Sequence, residues 1–518
     1  MTEMLDRITP EMSEEEVLGV LLDEIMARAE PDVAEAIRFC AIPHWFNEEI
    51  IAWLRGEGLK SSHRSREILA ALTELTFVGP YYERGWAYHE NVRDLLLRRW
   101  REKDGKAFKE LSGAAAAYYA DKSRAGESPE EERAEWRREE MYHLLLTDED
   151  QGVELFRSMF DKAIWFYQLS TCNLLLGLAG ERESNLGPDG RLWLRLSRGE
   201  LWYVSARWDE ALRIFEGLER EELSETLEGT LADDLGGLYY NKGEWDKAIE
   251  YYQRSLAIWE KLGHEHKMGL TFNDLGIVYK AKGEWDRAIE YYERSLAIKE
   301  KLGDEHGMAT SLNNLGSVYQ DKGKWERAIE YYERSLAIKE KVGDEHGMST
   351  TFNNLGSVYK ARGEWERAIE YYERSLAITE KVGDEHRMAT VFNNLGSVYQ
   401  DKGEWDRAIG YYERSLAIKE KVGDIVGQVT TLSNLLVVAL VRFRFRKAPE
   451  YEKRLGMSSR RLGNVIGEGC SYEHFWAYLY NRRYLKAARC MVVLGLRESV
   501  VVAKRWISTL KMFLALRA

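Results

Sequence analysis

The sequence predicts an all-α protein built as a solenoid of stacked helix hairpins. The composition is rich in Ala, Glu, Lys, Leu and Arg, and only 7 of 518 residues are Pro, which favours helices. One segment also recurs at a fixed spacing: YYERSLAIKEKLGDEHGM at 291–308 returns almost unchanged at 331–348 and again at 371–388. Within each copy the apolar residues follow a helical spacing. Because one hairpin cannot bury its own apolar face, such copies must stack on one another.

The size and composition set outer limits on the class of protein. A chain of 518 residues is too long for one compact core, and 45% hydrophobic with 31% charged residues is typical of a soluble folded protein. No apolar run reaches the roughly 18–20 residues that cross a bilayer, and the acidic start MTEMLDRITPEMSEEE has no apolar signal-peptide core. The four cysteines, Cys40, Cys172, Cys470 and Cys490, lack metal-ligand or disulfide spacing. We therefore expect a cytoplasmic protein.

Residues 1–105 are predicted to form a small domain of a different kind. Amphipathic helices broken at Pro31 and Pro43 are followed by the helix REILAALTEL. Next, TFVGPYYERGWAYH contains two short strand-like runs around a Pro/Gly turn, and ENVRDLLLRRW returns to helix. Helices followed by a β-hairpin indicate a winged-helix arrangement.

The segment YHENVRD at 88–94 resembles the Met-His-Asp box in the winged-helix domain of the STAND signalling ATPases. In those proteins the histidine contacts the phosphates of bound ADP, so the resemblance implies a nucleotide contact for His89. The chain has no G-x-x-x-x-G-K-[ST] phosphate-binding loop. We therefore expect no bound cofactor, and His89 would meet a nucleotide only if a partner chain supplied the ATPase domain. Retention of His89 for packing is the alternative.

Residues 106–190 are predicted to be linking helices, and residues 191–430 to be the regular repeats. REEMYHLLLTDEDQG at 138–152 resembles the helical segment that joins a STAND winged helix to its repeats. Each regular repeat is marked by a Leu-Gly pair, a Tyr four residues after the Leu and an Ala thirteen after it. In one repeat these are Leu315-Gly316, Tyr319 and Ala328. Gly316 and Ala328 are small where two helices approach closely, and Gly323 is expected to end the first helix in a left-handed cap.

This Leu-Gly, Tyr, Ala and aromatic pattern resembles the tetratricopeptide repeat. The 40-residue period is similar to the long-repeat subclass found in kinesin light chains. The resemblance implies a right-handed α-solenoid with a concave surface made by the first helix of each repeat. One departure is that Ser335 and its equivalents stand where the family favours Ala.

Asparagine before the Leu-Gly pair is the candidate binding feature of the array. Asn is a middling helix former, yet polar pairs recur there from Asp233-Asp234 to Ser433-Asn434. The amide both donates and accepts hydrogen bonds, which suits clamping the main chain of an extended peptide, and the resemblance implies this role. Recent repeat duplication without selection for binding is the alternative. The candidate peptide-binding residues are Asn273, Asn313, Asn314, Asn353, Asn354, Asn393, Asn394 and Asn434.

Residues 431–518 are predicted to be degenerate basic repeats and a capping helix. From 441 to 518 there are 17 lysines and arginines against 5 acidic residues, while the whole chain has a net charge of −13. RFRFRK at 442–447, SSRR at 458–461 and NRRYLKAAR at 481–489 could bind nucleic acid or an acidic partner. Solvated helix faces are the usual explanation of such charge runs.

We expect neither catalysis nor a metal site. Cys470 has His474 four residues on, but the surrounding pattern is a degenerate repeat helix without the strands of a protease. The repeated Asp-Glu-His at 304–306 and 344–346 would place its residues in solvated turns, too far apart for one zinc ion.

The sequence thus favours a non-enzymatic adaptor or sensor that holds an extended segment of another protein. A nucleic-acid-binding regulator is one alternative; Arg64 and Arg66, with Lys60 and His63, lie on or before its candidate recognition helix. The sensor half of a split STAND switch is the other.

Overall fold

The computed structural model describes residue 9 and residues 12–57, 62–82, 84–125, 128–441, 450–451, 453–455 and 457–458. The chain forms two compact units, Met1–Gly263 and His264–Ala518. Helices dominate both of them, as the sequence predicts. Within the described ranges, no helix is both long enough and apolar enough to span a bilayer.

The described part of the N-terminal unit begins with four helices and a β-hairpin. The helices are α1 (Glu14–Arg28), α2 (Pro31–Phe39), α3 (Glu48–Leu54) and α4 (His63–Thr73). Strands β1 (Val78–Tyr81) and β2 (Gly85–Tyr88) pair antiparallel, with Gly79 opposite Ala87. The predicted helix breaks and both strand-like runs are therefore present. The winged-helix identity of this region and the bounds of the four domains given above stay predictions.

Local capping explains where these first helices begin. Ser13 and Glu16 form a reciprocal capping box at the start of α1, in which each side chain bonds the other residue's backbone N–H. Pro31 occupies the first turn of α2, where a missing N–H costs nothing. Asn47 caps α3 by accepting from the Ile50 N–H.

Nine further α-helices follow in the described part of the N-terminal unit. They are α5 (Glu90–Lys103), α6 (Gly105–Arg124), α7 (Glu130–Thr147), α8 (Glu149–Trp165), α9 (Leu169–Gly180), α10 (Pro188–Val204), α11 (Trp208–Leu218), α12 (Glu225–Asn241) and α13 (Trp245–Leu262). The segment RWDEALRIF at 207–215, whose Trp208 and Ala211 stand in the places of Trp245 and Ala248 of the regular repeats, forms α11, and its Ala211 is fully buried. The unit thus passes from non-repetitive helices into hairpins.

A buried charged cluster joins the first helices to those that follow. Glu139 in α7 accepts from His44 Nδ1 at 3.0 Å, and Arg93 in α5 donates to the Ala41 carbonyl and to the Tyr142 hydroxyl. Burial by itself raises the pKa of Glu139, but the neighbouring His44, with lesser contributions from other cationic groups, lowers it to about 2. Such a paired carboxylate stays ionised, and its ion pair with His44 links α7 to the loop before α3.

The C-terminal unit continues the hairpins. Its described helices are α14 (Glu265–Ala281), α15 (Trp285–Leu302), α16 (Glu305–Asp321), α17 (Trp325–Val342), α18 (Glu345–Arg362), α19 (Trp365–Val382), α20 (Glu385–Asp401), α21 (Trp405–Lys421) and α22 (Ile425–Val441). Even-numbered helices from α14 to α20 are the first helix of a repeat, and the odd-numbered helix after each is the second. Several predicted features lie outside the described residues: the capping helix, Cys470 with His474, Cys490, and the basic runs after 441 apart from Ser458.

Close packing within each hairpin follows the predicted small and aromatic positions. Ala328 is fully buried and Tyr332 is 1% exposed. A Cβ placed on Gly316 would lie 2.8 Å from the Tyr332 ring, so only glycine lets α16 approach α17 this closely. The same contact recurs in the other regular repeats of this unit, between Gly276 and Tyr292, Gly356 and Tyr372, and Gly396 and Tyr412.

The turn glycines adopt the predicted left-handed conformation. Gly323 has φ +71° and its equivalents Gly243, Gly283, Gly363 and Gly403 have φ between +77° and +79°. A residue with a Cβ is strained there. A second set, Gly263, Gly303, Gly343, Gly383 and Gly423, closes the second helix of each repeat in the same way.

Candidate peptide-binding groove

The first helices of successive repeats lie side by side in the C-terminal unit. Helix α14 contacts α16, α16 contacts α18, α18 contacts α20, and α20 contacts α22. Direct contact between first helices places them on the inner side of the curve, because the second helices must spread apart outside them. The faces of the first helices that remain partly exposed therefore form one continuous surface, which we call the groove.

The candidate asparagines form a ladder of hydrogen bonds along the groove. In each repeat the second Asn donates through Nδ2 to Oδ1 of the first Asn in the preceding repeat. The donor–acceptor distances are 2.9 Å for Asn314 to Asn273, 3.2 Å for Asn354 to Asn313, 2.8 Å for Asn394 to Asn353 and 3.0 Å for Asn434 to Asn393. The structure thus brings together all eight residues that the sequence selects.

The ladder also joins neighbouring repeats, a role that the sequence did not predict. Each bond joins residues 41 positions apart, so it holds neighbouring repeats in register. A net stabilisation of about 1 kcal/mol per bond is typical. The same asparagine side chains can therefore both stabilise the stacking of repeats and bind a ligand.

Aspartate takes the asparagine's place in the first repeat of the array. Asp233 in α12 accepts from Ser255 Oγ at 2.6 Å and from Trp259 Nε1 at 3.0 Å. A carboxylate has no hydrogen to donate, and this one is engaged by its own hairpin. Asp233 therefore bonds within its own hairpin, whereas the asparagines that follow it bond between repeats.

The ladder leaves hydrogen-bonding capacity for a ligand. An Asn amide has two N–H groups and a carbonyl oxygen, and the bond to Asn313 uses only one N–H of Asn354. Asn353 and Asn354 are both partly exposed. A peptide lying in the groove could thus receive a donor and an acceptor from each repeat that carries a partly exposed Asn-Asn pair.

A buried lysine lies at three of the repeat junctions. Lys339, at 5% exposure, donates through Nζ to Thr351 Oγ1 at 2.9 Å and to the Gly347 carbonyl at 3.2 Å. Burial lowers its pKa to about 8, against the opposing effect of Asp344. Lys299 and Lys419 occupy the same position in their repeats.

One repeat exchanges this lysine for another arrangement. Thr379 stands at the lysine position, and Arg387 stands eight residues later, where Gly347 follows Lys339. Arg387 Nη1 donates to the His346 carbonyl at 3.2 Å. A Cβ on Gly347 would lie 2.0 Å from Oδ2 of the capping Asp344 and 2.9 Å from Lys339 Cδ, so a side chain at this position requires both neighbours to move. The paired change was visible in the sequence, although its meaning was not.

The other candidate residues have local structural partners. Asp304 and Asp344 cap α16 and α18 by accepting from the N–H groups of Gly307 and Gly347. His89 is exposed and precedes α5. Within the described residues, no group of three or more potential ligands could hold a metal ion. Cys40 and Cys172 are buried free thiols.

The two arginines of the candidate DNA-recognition helix are held by acidic neighbours. Arg64 in α4 lies 2.9 Å from a carboxylate oxygen of Glu30 and 3.1 Å from one of Asp32. Arg66 lies 3.2 Å from Glu48. Neighbouring carboxylates reduce the positive potential that a phosphate backbone would meet. Lys60 lies outside the described residues.

Residues 227–301, 307–381 and 387–455 match the tetratricopeptide repeat family. This region is therefore a tetratricopeptide array. Such arrays are typically non-catalytic modules for protein–protein interaction, so the region serves as a protein-interaction scaffold. No curated protein matches the chain in sequence. The cytoplasmic location and the absence of enzymatic activity stay predictions.

One solved structure shares the fold over most of this chain, and two others that are similar to it have TM-scores below 0.5. A STAND signal-transduction ATPase with a tetratricopeptide repeat sensor from Pyrococcus horikoshii is 15% identical, with a TM-score of 0.60 over 89% of this chain and 68% of that chain. A kinesin light chain from Podosopora anserina with nearly identical repeats is 25% identical, with a TM-score of 0.33 over 37% and 95%. A Rap protein in complex with competence and sporulation factor is 15% identical, with a TM-score of 0.46 over 66% and 99%.

Proposed function

Because residues 227–455 are tetratricopeptide repeats, we propose that the chain binds an extended segment of a partner protein along the groove. The asparagine ladder is the observation that carries this proposal. It aligns identical amide groups, one pair per repeat, on a single partly exposed surface. Side-chain amides at a regular interval match the main chain of an extended peptide, which presents N–H and C=O groups regularly whatever its sequence.

The ladder requires a binding test that leaves the asparagines intact. Replacing Asn354 with Ala removes a bond between repeats together with any contact to a ligand, so stability and binding would fall together. Ala361 offers a cleaner position. It lies seven residues after Asn354 on the same face of α18 and is exposed, so an arginine placed there fills the groove without touching the ladder.

A matched control exists on a second helix. Ala337 in α17 is also an exposed alanine within a helix, but it lies outside the groove. Random linear peptides displayed on phage are selected on the full chain, and the affinity of the enriched peptides is then measured by fluorescence anisotropy. We expect Ala361→Arg to weaken binding at least about tenfold, a loss of about 1.4 kcal/mol, and Ala337→Arg to leave it unchanged. Equal effects of the two substitutions, or no enriched peptide, would contradict the proposal.

A second candidate function is that of a sensor acting with a separate nucleotide-binding chain. The fold likeness to a STAND protein with a repeat sensor, over 89% of this chain, favours it. Its test is whether the full chain forms a complex with a P-loop ATPase from the same cell. In such a complex His89→Ala should speed ADP release; an unchanged release rate would count against a nucleotide contact.

A further inference from the structure

The groove carries a second period that is twice the length of the repeat. At the end of successive first helices the sequence alternates between two pairs of residues: Lys280-Ala281, Gln320-Asp321, Lys360-Ala361 and Gln400-Asp401. Each pair follows the Tyr of its Leu-Gly motif directly. The alternation therefore gives the groove an 80-residue period in charge, although the asparagines keep the 40-residue period.

Contacts between neighbouring repeats follow this longer period. Lys280 in α14 donates to Ser317 Oγ and lies 3.4 Å from Asp321 in α16. Lys360 in α18 donates to Ser397 Oγ and lies 3.5 Å from Asp401 in α20. We call the ion pairs Lys280–Asp321 and Lys360–Asp401 the charge pairs.

The junction between the charge pairs is uncharged at the equivalent place. Gln320 accepts a hydrogen bond from the Tyr332 hydroxyl at 2.9 Å, and Ala361 stands where the neighbouring repeats have aspartate. At this position, ion pairs therefore occur at every second junction of the groove. At the junction between them, the uncharged Gln320 and Ala361 stand in the same place, within the part of the chain that the structure describes.

The charge pairs lie on the same face as the asparagine ladder. Ser317 is three residues after Asn314 and Asp321 is seven residues after it, which is one stripe of a helix. The lysines are 29% and 27% exposed and both aspartates 45% exposed. Ion pairs this exposed are worth at most about 1 kcal/mol, so a ligand can share their charges at little cost.

The spacing of the charge pairs sets a length on the ligand. First helices in direct contact have axes about 8–10 Å apart. Two repeats therefore separate the charge pairs by about 20 Å. An extended chain rises about 3.3 Å per residue, so about six residues span this distance.

We propose that the groove selects a segment with two clusters of opposite charge about six residues apart. In each cluster an acidic side chain meets Lys280 or Lys360 and a basic side chain meets Asp321 or Asp401. This inference rests on the proposed binding of an extended segment. The asparagines contribute affinity that is independent of sequence in every repeat, and the charge pairs read side chains at every second junction. A uniformly acidic or basic segment is disfavoured, because it places a like charge against one member of each pair.

Synthetic linear peptides test the spacing. Three probes share one composition of Glu, Lys, Ser and Ala: one has two Glu-Lys clusters about six residues apart, one has the clusters about three apart, and one has the charges scattered. A fourth probe is uniformly acidic, and a fifth is neutral. Fluorescence anisotropy gives the affinity of each for the full chain. We expect the six-residue spacing to bind about tenfold more tightly than its two isomers.

Matched substitutions link this selectivity to the lysines. Lys280→Gln with Lys360→Gln introduces the residue that Gln320 and Gln400 already supply at this position, so the helices should remain folded. We expect this double variant to lose most of its preference for the six-residue spacing, because only Asp321 and Asp401, which attract the basic side chains, then remain. The control is Lys301→Gln with Lys381→Gln: these lysines are also 80 residues apart and pair with Glu265 and Glu345, but they lie at the ends of second helices. The control should keep the wild-type selectivity.

The outcomes separate this inference from the proposed function. Equal binding of the three isomers by the wild-type chain, tightest binding of the acidic probe, or selectivity that is undiminished in Lys280→Gln with Lys360→Gln would each overturn the charge-pair inference. If the neutral probe still binds and Ala361→Arg abolishes that binding, the proposed groove function stands without it. If no probe binds, or binding ignores Ala361→Arg, both proposals fail.

Discussion

Adding one methyl group at Gly316 should destabilise the array, although the same change elsewhere in a helix should stabilise it. In Gly316→Ala the new Cβ of α16 lies 2.8 Å from Cδ1 and Cε1 of Tyr332, whereas carbon atoms in contact prefer about 3.5–4.0 Å. Tyr332 is 1% exposed, and its hydroxyl donates to Gln320 Oε1 at 2.9 Å. The ring therefore cannot move aside without losing a hydrogen bond.

Gly410 in α21 supplies the comparison. It is an exposed glycine within a helix, and a Cβ there meets nothing within 4 Å. Replacing either glycine with alanine gains about 1 kcal/mol of helix propensity. Only Gly316→Ala adds an overpacking cost, which is typically about 1–3 kcal/mol. Because the propensity gain cancels in the comparison, Gly316→Ala should be less stable than Gly410→Ala by about 1–3 kcal/mol.

Urea unfolding followed by far-UV circular dichroism measures this difference. Repeat arrays can unfold one hairpin at a time, so amide hydrogen exchange in α16 and α17 should accompany the bulk measurement. We expect faster exchange in these two helices for Gly316→Ala alone. If Gly316→Ala unfolds at the same urea concentration as Gly410→Ala, the glycine is not required for close approach of the helices and the packing argument is wrong.

Two further predictions concern the buried lysine. The folded-state pKa of Lys339, about 8, lies below the ordinary lysine value of 10.5, so the unfolded chain binds this proton more tightly. The free energy of unfolding of the wild type should therefore rise by up to about 3 kcal/mol as the pH increases from the folded-state pKa to the ordinary one. Lys339→Met should lack that rise in urea unfolding; a wild-type-to-variant difference that does not depend on pH would refute it. Gly347→Arg should destabilise by about 1–3 kcal/mol, and adding Lys339→Thr, which recreates the pairing of Thr379 with Arg387, should restore most of the loss. An additive double-mutant cycle would show that the two positions are not coupled.

The sequence was sufficient for the hairpins because their determinants are local and repeated. Gly323 and its equivalents mark turns that require a positive φ, and the structure places each of them there. The small residues Gly316 and Ala328 and the large Tyr332 recur at fixed offsets, so their packing could be predicted from one copy and checked on the others.

Pairings between distant residues were not predictable in this way. His44 and Glu139 meet across 95 positions in the N-terminal unit, where nothing repeats and no spacing indicates which residues are neighbours. The lysine junctions were partly predictable from the sequence, since Gly347 accompanies Lys339 in one repeat and Arg387 accompanies Thr379 in the next. Their contact still depends on the angle between two helices, which no sequence period specifies.

The sequence alone determined the helix hairpin, its 40-residue period, its turns and the asparagine face of each first helix, because backbone conformation and one-sided burial act over a few residues. Tertiary structure alone decided where the amides point. The same partly exposed edge of a helix can face a ligand or the next repeat, and only the distance between neighbouring first helices brings Asn354 within bonding distance of Asn313. The same distance places Lys360 within 3.5 Å of Asp401 and leaves the Ala361 side chain exposed to solvent.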